Sequence, residues 1–340
     1  MPTTLSTPRP LQAGGGRPHN EGMQKTIISR VSRTTRQKSG KTWQIGGTDL
    51  AIARAVYRYD RLNTSFIATL AGIKKATAQE RLTRFRNETQ GDAEHYMRVE
   101  TPSLNNENIY FADDRLADLI KDHGTLPYRA SLMSLNGGSG LAHDLMVATV
   151  TANIELGMRG TSHSLITYEE IMASPDFPRK EPKARRGFCI SVDTIFDGKP
   201  VKFDLVPDNI FGIEGPRGVT FFALECENEN TIETSQYKRN STKRKMIGYR
   251  AISQRVDGVP LYTRHWGIPN LMVMFVAPTD VHVATMKSTL ARIVGGKGSQ
   301  QFLFRATDIL RNHPPYSSPQ PDAGFFGLWD RVGHSPTGLA

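Results

Sequence analysis

The sequence predicts an α/β chain, α+β overall, with two domains, and three observations support this prediction. The chain has 340 residues, which exceeds the roughly 100–200 residues of a typical single domain. Its first part shows three short amphipathic helix patterns, followed by two strand patterns around a polar loop. Its second part alternates helix patterns with apolar strand patterns, which indicates a sheet covered by helices.

Charge and cysteine content narrow the class of protein. The formal net charge is +10 and the isoelectric point is about 9.6, which favours a nucleic-acid partner over a membrane or a charge that serves only solubility. Cys189 and Cys226 lie in no metal-ligand spacing, so neither a zinc site nor a disulfide framework is predicted. Apolar runs stay below the roughly 18 residues of a membrane span, and no signal-peptide core is present. We therefore expect a cytoplasmic protein.

Residues 1–44 form a segment rich in Thr, Pro, Gly, Arg and Lys, with Glu21 as its acidic residue. Such a segment has too few apolar side chains to offset the entropy lost on ordering. We predict a disordered basic arm. It either follows the phosphates of a nucleic acid or remains a solvated tail.

Order is predicted to begin at residue 45, and the first domain extends to residue 124. Thr48 or Asp49 can cap the first helix, and Asn63 or Thr64 can cap the second. Gly72 is expected to end the second helix. The stretch "DDRLADLIKDHG" closes the domain with a further helix.

The third helix, from about Lys75 to Glu88, is the candidate DNA-recognition helix. Three short helices followed by a β-hairpin is the order of a winged helix, and the wing would extend from about Arg98 to Tyr110. Arg and Lys bind phosphates, while Arg and Gln also read base edges in the major groove. The alternative is a basic face that is merely solvated. The residues predicted to contact duplex DNA are Lys74, Lys75, Thr77, Gln79, Arg81, Arg84 and Arg86.

The second domain is expected over residues 141–311, after a glycine-containing linker at 125–140. It opens with the apolar helix "LAHDLMVATVTANIELGMRG", and "LMVMFVAPT" suits a strand buried on both faces. Residues 312–340 are rich in proline and serine. This tail is expected to be extended, with Phe325, Phe326 and Trp329 able to dock on a core.

Three acidic residues on a predicted hairpin are the candidate metal site. In "VTFFALECE" the alternation of a strand places Glu225 and Glu227 on one face, and the preceding strand brings Asp208 across the hairpin. Three carboxylates that converge suit a hard cation such as Mg²⁺, which can polarise a phosphate and activate water. Alternatively, these acids only cap turns and are solvated.

The "PD" of one strand and the "ExE" of the next resemble the PD-(D/E)xK nuclease superfamily, whose core is a helix, three strands, a helix and a strand. The resemblance implies a restriction-endonuclease-like domain in which Asp208 and Glu225 bind metal. Glu227 stands where that pattern has lysine. Some members carry the lysine on the following helix. There this chain offers Lys238, Lys243 and Lys245, of which Lys238 and Lys245 join the three acids as the candidate catalytic residues.

The order of segments from about Thr48 to Phe304 is also similar to the replication-relaxation family of plasmids and other mobile elements. The stretches that carry this likeness are "TDLAIARAVYRYDRLNTSFIATL", "HDLMVATVTANIEL", "PDNIF" and "FFALECENENTIE". The resemblance implies a DNA-binding protein of replication or mobilisation. In that layout His143 and Asp144 cap the first helix of the nuclease-like domain, and Glu155 or Glu169 could supply a further carboxylate.

Three functions remain open at this point. The first is a DNA-binding factor whose second domain grips duplex DNA through a basic helix carrying Lys243 and Arg244, helped by the loop at 179–187. The second is a Mg²⁺-dependent endonuclease. The third is an adaptor that recruits a relaxase or replication initiator through its tail. Winged-helix proteins often pair on DNA, so a homodimer is also compatible, and a plain repressor would leave the second domain unexplained.

Overall fold

The structure is a computed structural model, and it describes residues 44–87, 96–100, 107–123, 141–178, 188–227, 241–306, 319 and 327–339. The predicted basic arm up to residue 43 lies outside the described residues. So do the predicted linker, the loop at 179–187, Lys238, Phe325 and Phe326.

Within residues 44–87, 96–100 and 107–123, the first part of the chain has four helices and a three-stranded antiparallel sheet. The strand order is β1-β3-β2. The elements are α1 (Gly47–Tyr59), β1 (Arg61–Asn63), α2 (Thr64–Ala71), α3 (Lys75–Asn87), β2 (Met97–Glu100), β3 (Ile109–Ala112) and α4 (Asp114–Asp122).

Local side chains explain why these helices begin and end where they do. The Asp49 carboxylate accepts a hydrogen bond from the backbone N–H of Gly46 at 2.9 Å, which stabilises the first turn of α1. Asn63 caps α2, because its side-chain oxygen accepts from the N–H of Phe66 at 3.0 Å. Gly72 ends α2 with φ of 68°, a left-handed conformation that favours glycine. The caps predicted for α2 are therefore confirmed.

The second part contains a larger set of elements around one sheet. They are α5 (Leu141–Met158), β4 (Ser164–Ile166), α6 (Tyr168–Ala173), β5 (Ile190–Phe196), β6 (Lys199–Leu205), β7 (Asn209–Gly215), β8 (Gly218–Cys226), α7 (Thr242–Ile252), β9 (Arg255–Val256), β10 (Val259–Pro260), α8 (Leu261–Trp266), β11 (Met272–Ala277), α9 (Asp280–Ile293), β12 (Ser299–Ala306) and β13 (Asp330–Val332). Mixed α/β architecture is thus confirmed.

The main sheet has six strands in the order β13-β12-β11-β8-β7-β4. Strands β8, β11 and β12 run parallel, while β4, β7 and β13 pair antiparallel with their neighbours. β11 lies near the centre. Val273 and Phe275 pack into one apolar cluster, and Met274 and Val276 pack into another on the opposite face. The predicted burial of this strand on both faces is confirmed.

Strand alternation in β8 also follows the prediction. Ala223 belongs to the cluster that contains residues of α7 and α9. Phe222, Leu224 and Cys226 belong to the cluster that contains one face of α5. Helices therefore cover both sides of the sheet, with α5 on one side and α7 and α9 on the other.

Helix α5 is buried on two opposite faces. Met146, Val150 and Ile154 pack on the sheet, whereas Ala148 and Ala152 join the core of the first part. Positions two apart point about 200° away from each other around a helix, so the two sets face opposite partners. The two predicted domains therefore share this helix.

The predicted extended tail also contributes to the sheet. β13 pairs with β12 at the sheet edge, and Trp329 is fully buried in the cluster beneath α5. The expected docking of Trp329 on a core is therefore confirmed, and within the described residues 327–339 the tail also adds a strand. No helix in the described ranges combines the length and apolar character needed to cross a membrane.

Candidate functional site

The three predicted acids meet at the open end of the β7–β8 hairpin. Asn209 at the start of β7 pairs with Leu224 of β8. Asp208 immediately precedes β7, Glu225 is the penultimate residue of β8, and Glu227 follows β8 directly. The antiparallel register therefore brings Asp208 opposite Glu225.

Lys245 of α7 lies among these three carboxylates. Its Nζ is 2.5 Å from Glu225 Oε2, 3.3 Å from Glu227 Oε1 and 3.4 Å from Asp208 Oδ2. The Lys245 side chain is 16% exposed and the Glu225 side chain is fully buried. Ser241 caps α7 through a hydrogen bond from Arg244 N–H, and this fixes the helix start so that Lys245 points at the hairpin. Of the predicted lysines, Lys245 is the one that reaches the acids within the described residues.

Further donors complete the centre. The Tyr249 hydroxyl, one turn after Lys245 on α7, donates to Glu225 Oε1 at 2.5 Å. The backbone N–H of Cys226 donates to Asp208 Oδ2 at 2.9 Å, and His143 Nε2 lies 3.2 Å from the same oxygen. Glu225 therefore has a protein cation at one oxygen and a hydroxyl donor at the other.

The protonation of Asp208 and Lys245 reflects their mutual charge. Burial alone would raise the pKa of Asp208, but the Lys245 charge and the contact with His143 outweigh it and lower that pKa. Burial alone would lower the pKa of Lys245, but three carboxylates raise it well above its usual range. This pair is charged at neutral pH.

Glu225 and Tyr249 behave differently because both are deeply buried. Burial, followed by the charge of Asp208, raises the pKa of Glu225 well above its ordinary value, although Lys245 and Tyr249 oppose this change. Burial and the charge of Glu225 likewise raise the pKa of Tyr249. Tyr249 is therefore a hydroxyl donor at neutral pH.

The fit of these residues to Mg²⁺ depends on Lys245. Carboxylate oxygens are suitable ligands for this ion, but the ammonium already lies within 2.5–3.4 Å of one oxygen of each acid. Within the described residues, no group of three His, Cys, Asp or Glu side chains is arranged to hold a metal ion. The donor set fits Mg²⁺ only after Lys245 has moved away.

His143 is a site residue whose role the sequence did not indicate. The sequence suggested a helix cap, but the imidazole reaches Asp208 from 65 residues away. Burial would lower the pKa of His143, whereas the hydrogen bond and charge of Asp208 raise it. Its neighbour Asp144 forms an ion pair with Arg61 of β1. In the sequence, the "HD" pair at the start of an apolar helix was the available sign of a site residue. Only the tertiary contact identifies Asp208 as the partner of His143.

Lys243 and Arg244 point away from the acids. Lys243 Nζ is 2.6 Å from Asp197 Oδ1 and lies 5.1 Å from the centre of the Phe196 ring. The Arg244 guanidinium stacks 4.2 Å from the centre of the Phe203 ring. Both cations therefore pack on the β5–β6 hairpin instead of joining the carboxylates.

The residues predicted to contact DNA lie on α3 or directly before it, and they differ in exposure and in their ion-pair partners. Lys74, Lys75 and Gln79 are exposed, while Thr77 and Arg86 are half-buried. Lys75 forms an ion pair with Glu107. Arg84 pairs with Glu80 on the surface at 2.6 Å, whereas Arg81 Nη1 lies 3.2 Å from the buried carboxylate of Asp49. Arg81 therefore anchors α3 to α1.

The two additional carboxylate candidates lie elsewhere. Glu155 of α5 forms an ion pair with Arg58 at 2.8 Å and accepts a hydrogen bond from Tyr59. Glu169 is a buried residue of α6, and its carboxylate oxygens make no well-aligned hydrogen bond. Neither residue is part of the centre around Lys245.

Comparison of the chain with protein-family models, curated proteins and solved structures finds no match.

Proposed function

We propose that this protein binds duplex DNA, with the first part as a winged helix and α3 as its recognition helix. The observation that carries the proposal is an exposed polar surface at the start of α3, which is formed by Lys75 and Gln79 of the helix and by Lys74 directly before it. The order α1, β1, α2, α3, β2, β3, with the strands in one small sheet, supports the proposal because it is the order expected for a winged helix. The excess of basic residues in the whole chain supports a polyanionic partner.

The second part supports a restriction-endonuclease-like interpretation. Taken in order, α5, β4, β7, β8, α7 and β11 form a helix, three strands, a helix and a strand. Between them lie α6 and the β5–β6 hairpin, which follow β4, and the short β9, β10 and α8, which follow α7. These four strands are neighbours in the order β11-β8-β7-β4. We propose that this unit holds DNA close to the winged helix, in a factor of plasmid or mobile-element replication or mobilisation, as the family resemblance implies.

Charge reversal at Lys74, directly before the first residue of α3, tests the proposal. We expect Lys74→Glu to weaken duplex binding at least tenfold at low salt, because an exposed phosphate-binding cation becomes an anion. Lys121→Glu on α4 is the matched control, since Lys121 is equally an exposed lysine of the first part. Fluorescence anisotropy with a labelled duplex measures both. Equal affinities of Lys74→Glu and the unaltered protein would remove α3 from the interface.

Arg81 is unsuitable for this test. Its substitution would leave the Asp49 carboxylate, which is 1% exposed, without its ion-pair partner. A loss of binding by Arg81→Ala would then report on the stability of the first part rather than on a DNA contact.

A metal-dependent endonuclease is the second candidate, because α7 carries a lysine beside the three acids, but this function requires the Lys245 ammonium to move away when Mg²⁺ binds. The chain has Glu227 where the nuclease pattern has lysine, and α7 supplies an ammonium within 2.5 Å of Glu225 Oε2. In that function Asp208, Glu225 and Glu227 would hold Mg²⁺, which would polarise a phosphate. The adaptor function has less support, because Trp329 of the tail is occupied in the protein's own core.

A further inference from the structure

We infer that the Lys245 ammonium takes the place of a divalent cation, so that the protein itself supplies the cation of the carboxylate centre, which binds metal only when Lys245 is removed. This inference is independent of the DNA-binding proposal. It concerns the free protein, and it opposes the endonuclease candidate.

The position of the ammonium is the first reason. A divalent cation shared by Asp208, Glu225 and Glu227 would lie where their oxygens converge, and Lys245 Nζ is within 3.4 Å of one oxygen of each. Metal–oxygen distances are about 2.0–2.6 Å for Mg²⁺ and Ca²⁺. A divalent cation held by the same three oxygens would need the position that Nζ now occupies, so the ammonium would have to leave first.

The second reason is that both oxygens of Glu225 and one oxygen of Asp208 already have partners within the protein. Glu225 is fully buried, and its Oε1 accepts from the Tyr249 hydroxyl while Oε2 contacts the ammonium. Asp208 Oδ2 receives the Cys226 N–H, contacts the His143 ring and lies 3.4 Å from Lys245. A metal would have to displace both the ammonium and part of this network of donors.

Two buried oxygens would be left without a counter-charge if the ammonium were absent. Glu225 Oε2 and Glu227 Oε1 are buried and have no well-aligned hydrogen bond, so their contact with Lys245 is an ion pair. Uncompensated buried carboxylates are strongly unfavourable. Removal of the ammonium therefore creates both the space and the charge that a hard divalent cation requires.

The flanking helix holds Lys245 in this position. Lys245 and Tyr249 are one helical turn apart on α7 and contact the two oxygens of the same carboxylate. Positions i and i+4 lie on one helix face, so both contacts form or break together with the docking of α7. The Lys245 side chain is only 16% exposed, so its ammonium can leave the acids only by moving out of a largely buried site.

The test is metal binding by the purified full-length chain without DNA. Isothermal titration calorimetry with Mn²⁺, at neutral pH after treatment with a chelator, is expected to show no binding to the unaltered protein at this centre. Lys245→Ala is expected to bind Mn²⁺ at least tenfold more tightly and to gain thermal stability from it. Lys245→Arg is the matched control, because it keeps a cation, and it should resemble the unaltered protein. Lys245→Ala combined with Glu225→Gln should lose the acquired binding.

Two outcomes would overturn the inference. One is Mn²⁺ binding by the unaltered protein that is as tight as that of Lys245→Ala and is lost in Asp208→Asn. That result would leave the endonuclease candidate in place. The other is a Lys245→Ala chain that remains unfolded by circular dichroism in millimolar Mn²⁺, since its carboxylates would then not hold the ion. Duplex binding is measured separately, in the presence of a chelator. A failure of the DNA-binding proposal can therefore be distinguished from a failure of the inference about Lys245.

Discussion

Two places in the described part of the chain bury acidic side chains whose pKa values are shifted. Around Lys245 the carboxylates have a cation, a phenol and an imidazole as partners. At Glu169 both carboxylate oxygens are buried and make no well-aligned hydrogen bond. Burial raises the pKa of Glu169 to about 7, and interactions with its own backbone N–H, Tyr168, Thr167 and the charge of Arg58 offset only part of that effect. Glu169 is therefore a cost to the folded state whenever it is ionised.

We expect the free energy of unfolding of Glu169→Gln to exceed that of the unaltered protein above pH 7. In the unaltered protein the folded state holds a proton on Glu169 between its ordinary pKa of 4.5 and about 7, whereas the unfolded state has released it. Stability therefore falls as pH rises through this window, by up to about 3 kcal/mol. Glutamine removes this contribution, because it does not ionise.

Urea denaturation at pH 5 and pH 8 measures the difference. Asp118→Asn on the exposed face of α4 is the control for a carboxylate-to-amide change, and we expect it to leave the pH dependence unaltered. An equal fall in stability between pH 5 and pH 8 in Glu169→Gln and the unaltered protein would contradict the assignment.

Helix ends illustrate how single residues determine whole elements. Gly72 ends α2 and Gly267 ends α8, both with φ of 68°. A Cβ at Gly72 would meet no atom within 4 Å, whereas a Cβ at Gly267 would lie 2.1 Å from the backbone oxygen of Asp176. The two glycines therefore share a conformational requirement but differ in the space around them.

This difference predicts unequal effects of alanine. Gly72→Ala should cost about 1–2 kcal/mol, which is the left-handed penalty for an L-residue. Gly267→Ala should cost at least twice as much, because the backbone of residues 176–177 must also move. Thermal denaturation of both variants gives the comparison. Equal costs would show that the close approach at Gly267 relaxes freely.

At the scale of the whole molecule, α5 joins the two parts. Its opposite faces belong to two different apolar clusters. Arg159, just after the helix, donates to the carbonyl oxygens of Thr69 and Leu70 at 2.7 and 2.6 Å. Unfolding of the first part would expose one face of a helix that the main sheet needs. The two parts should therefore unfold together.

Leu62→Ala tests this coupling. Leu62 is fully buried in β1 of the first part, and its truncation should cost about 2–5 kcal/mol. Because unfolding is shared, we expect one calorimetric transition that moves as a whole to lower temperature. Leu328→Ala, which alters a side chain that is 69% exposed, is the control and should leave the transition in place. A second transition that stays at its original temperature would show that the two parts unfold independently.

Features that depend on neighbouring residues along the chain could be predicted from the sequence alone. Asn63 and Gly72 bound α2 because capping is a contact over three or four residues. The alternation in β8 placed Glu225 and Glu227 on one face because strand geometry requires it. The tertiary structure decided which distant groups meet. It selected Lys245 rather than Lys243, brought His143 to Asp208, placed Trp329 in the core and made α5 common to both parts. These contacts join residues far apart in the chain, and their formation depends on packing that no local pattern records.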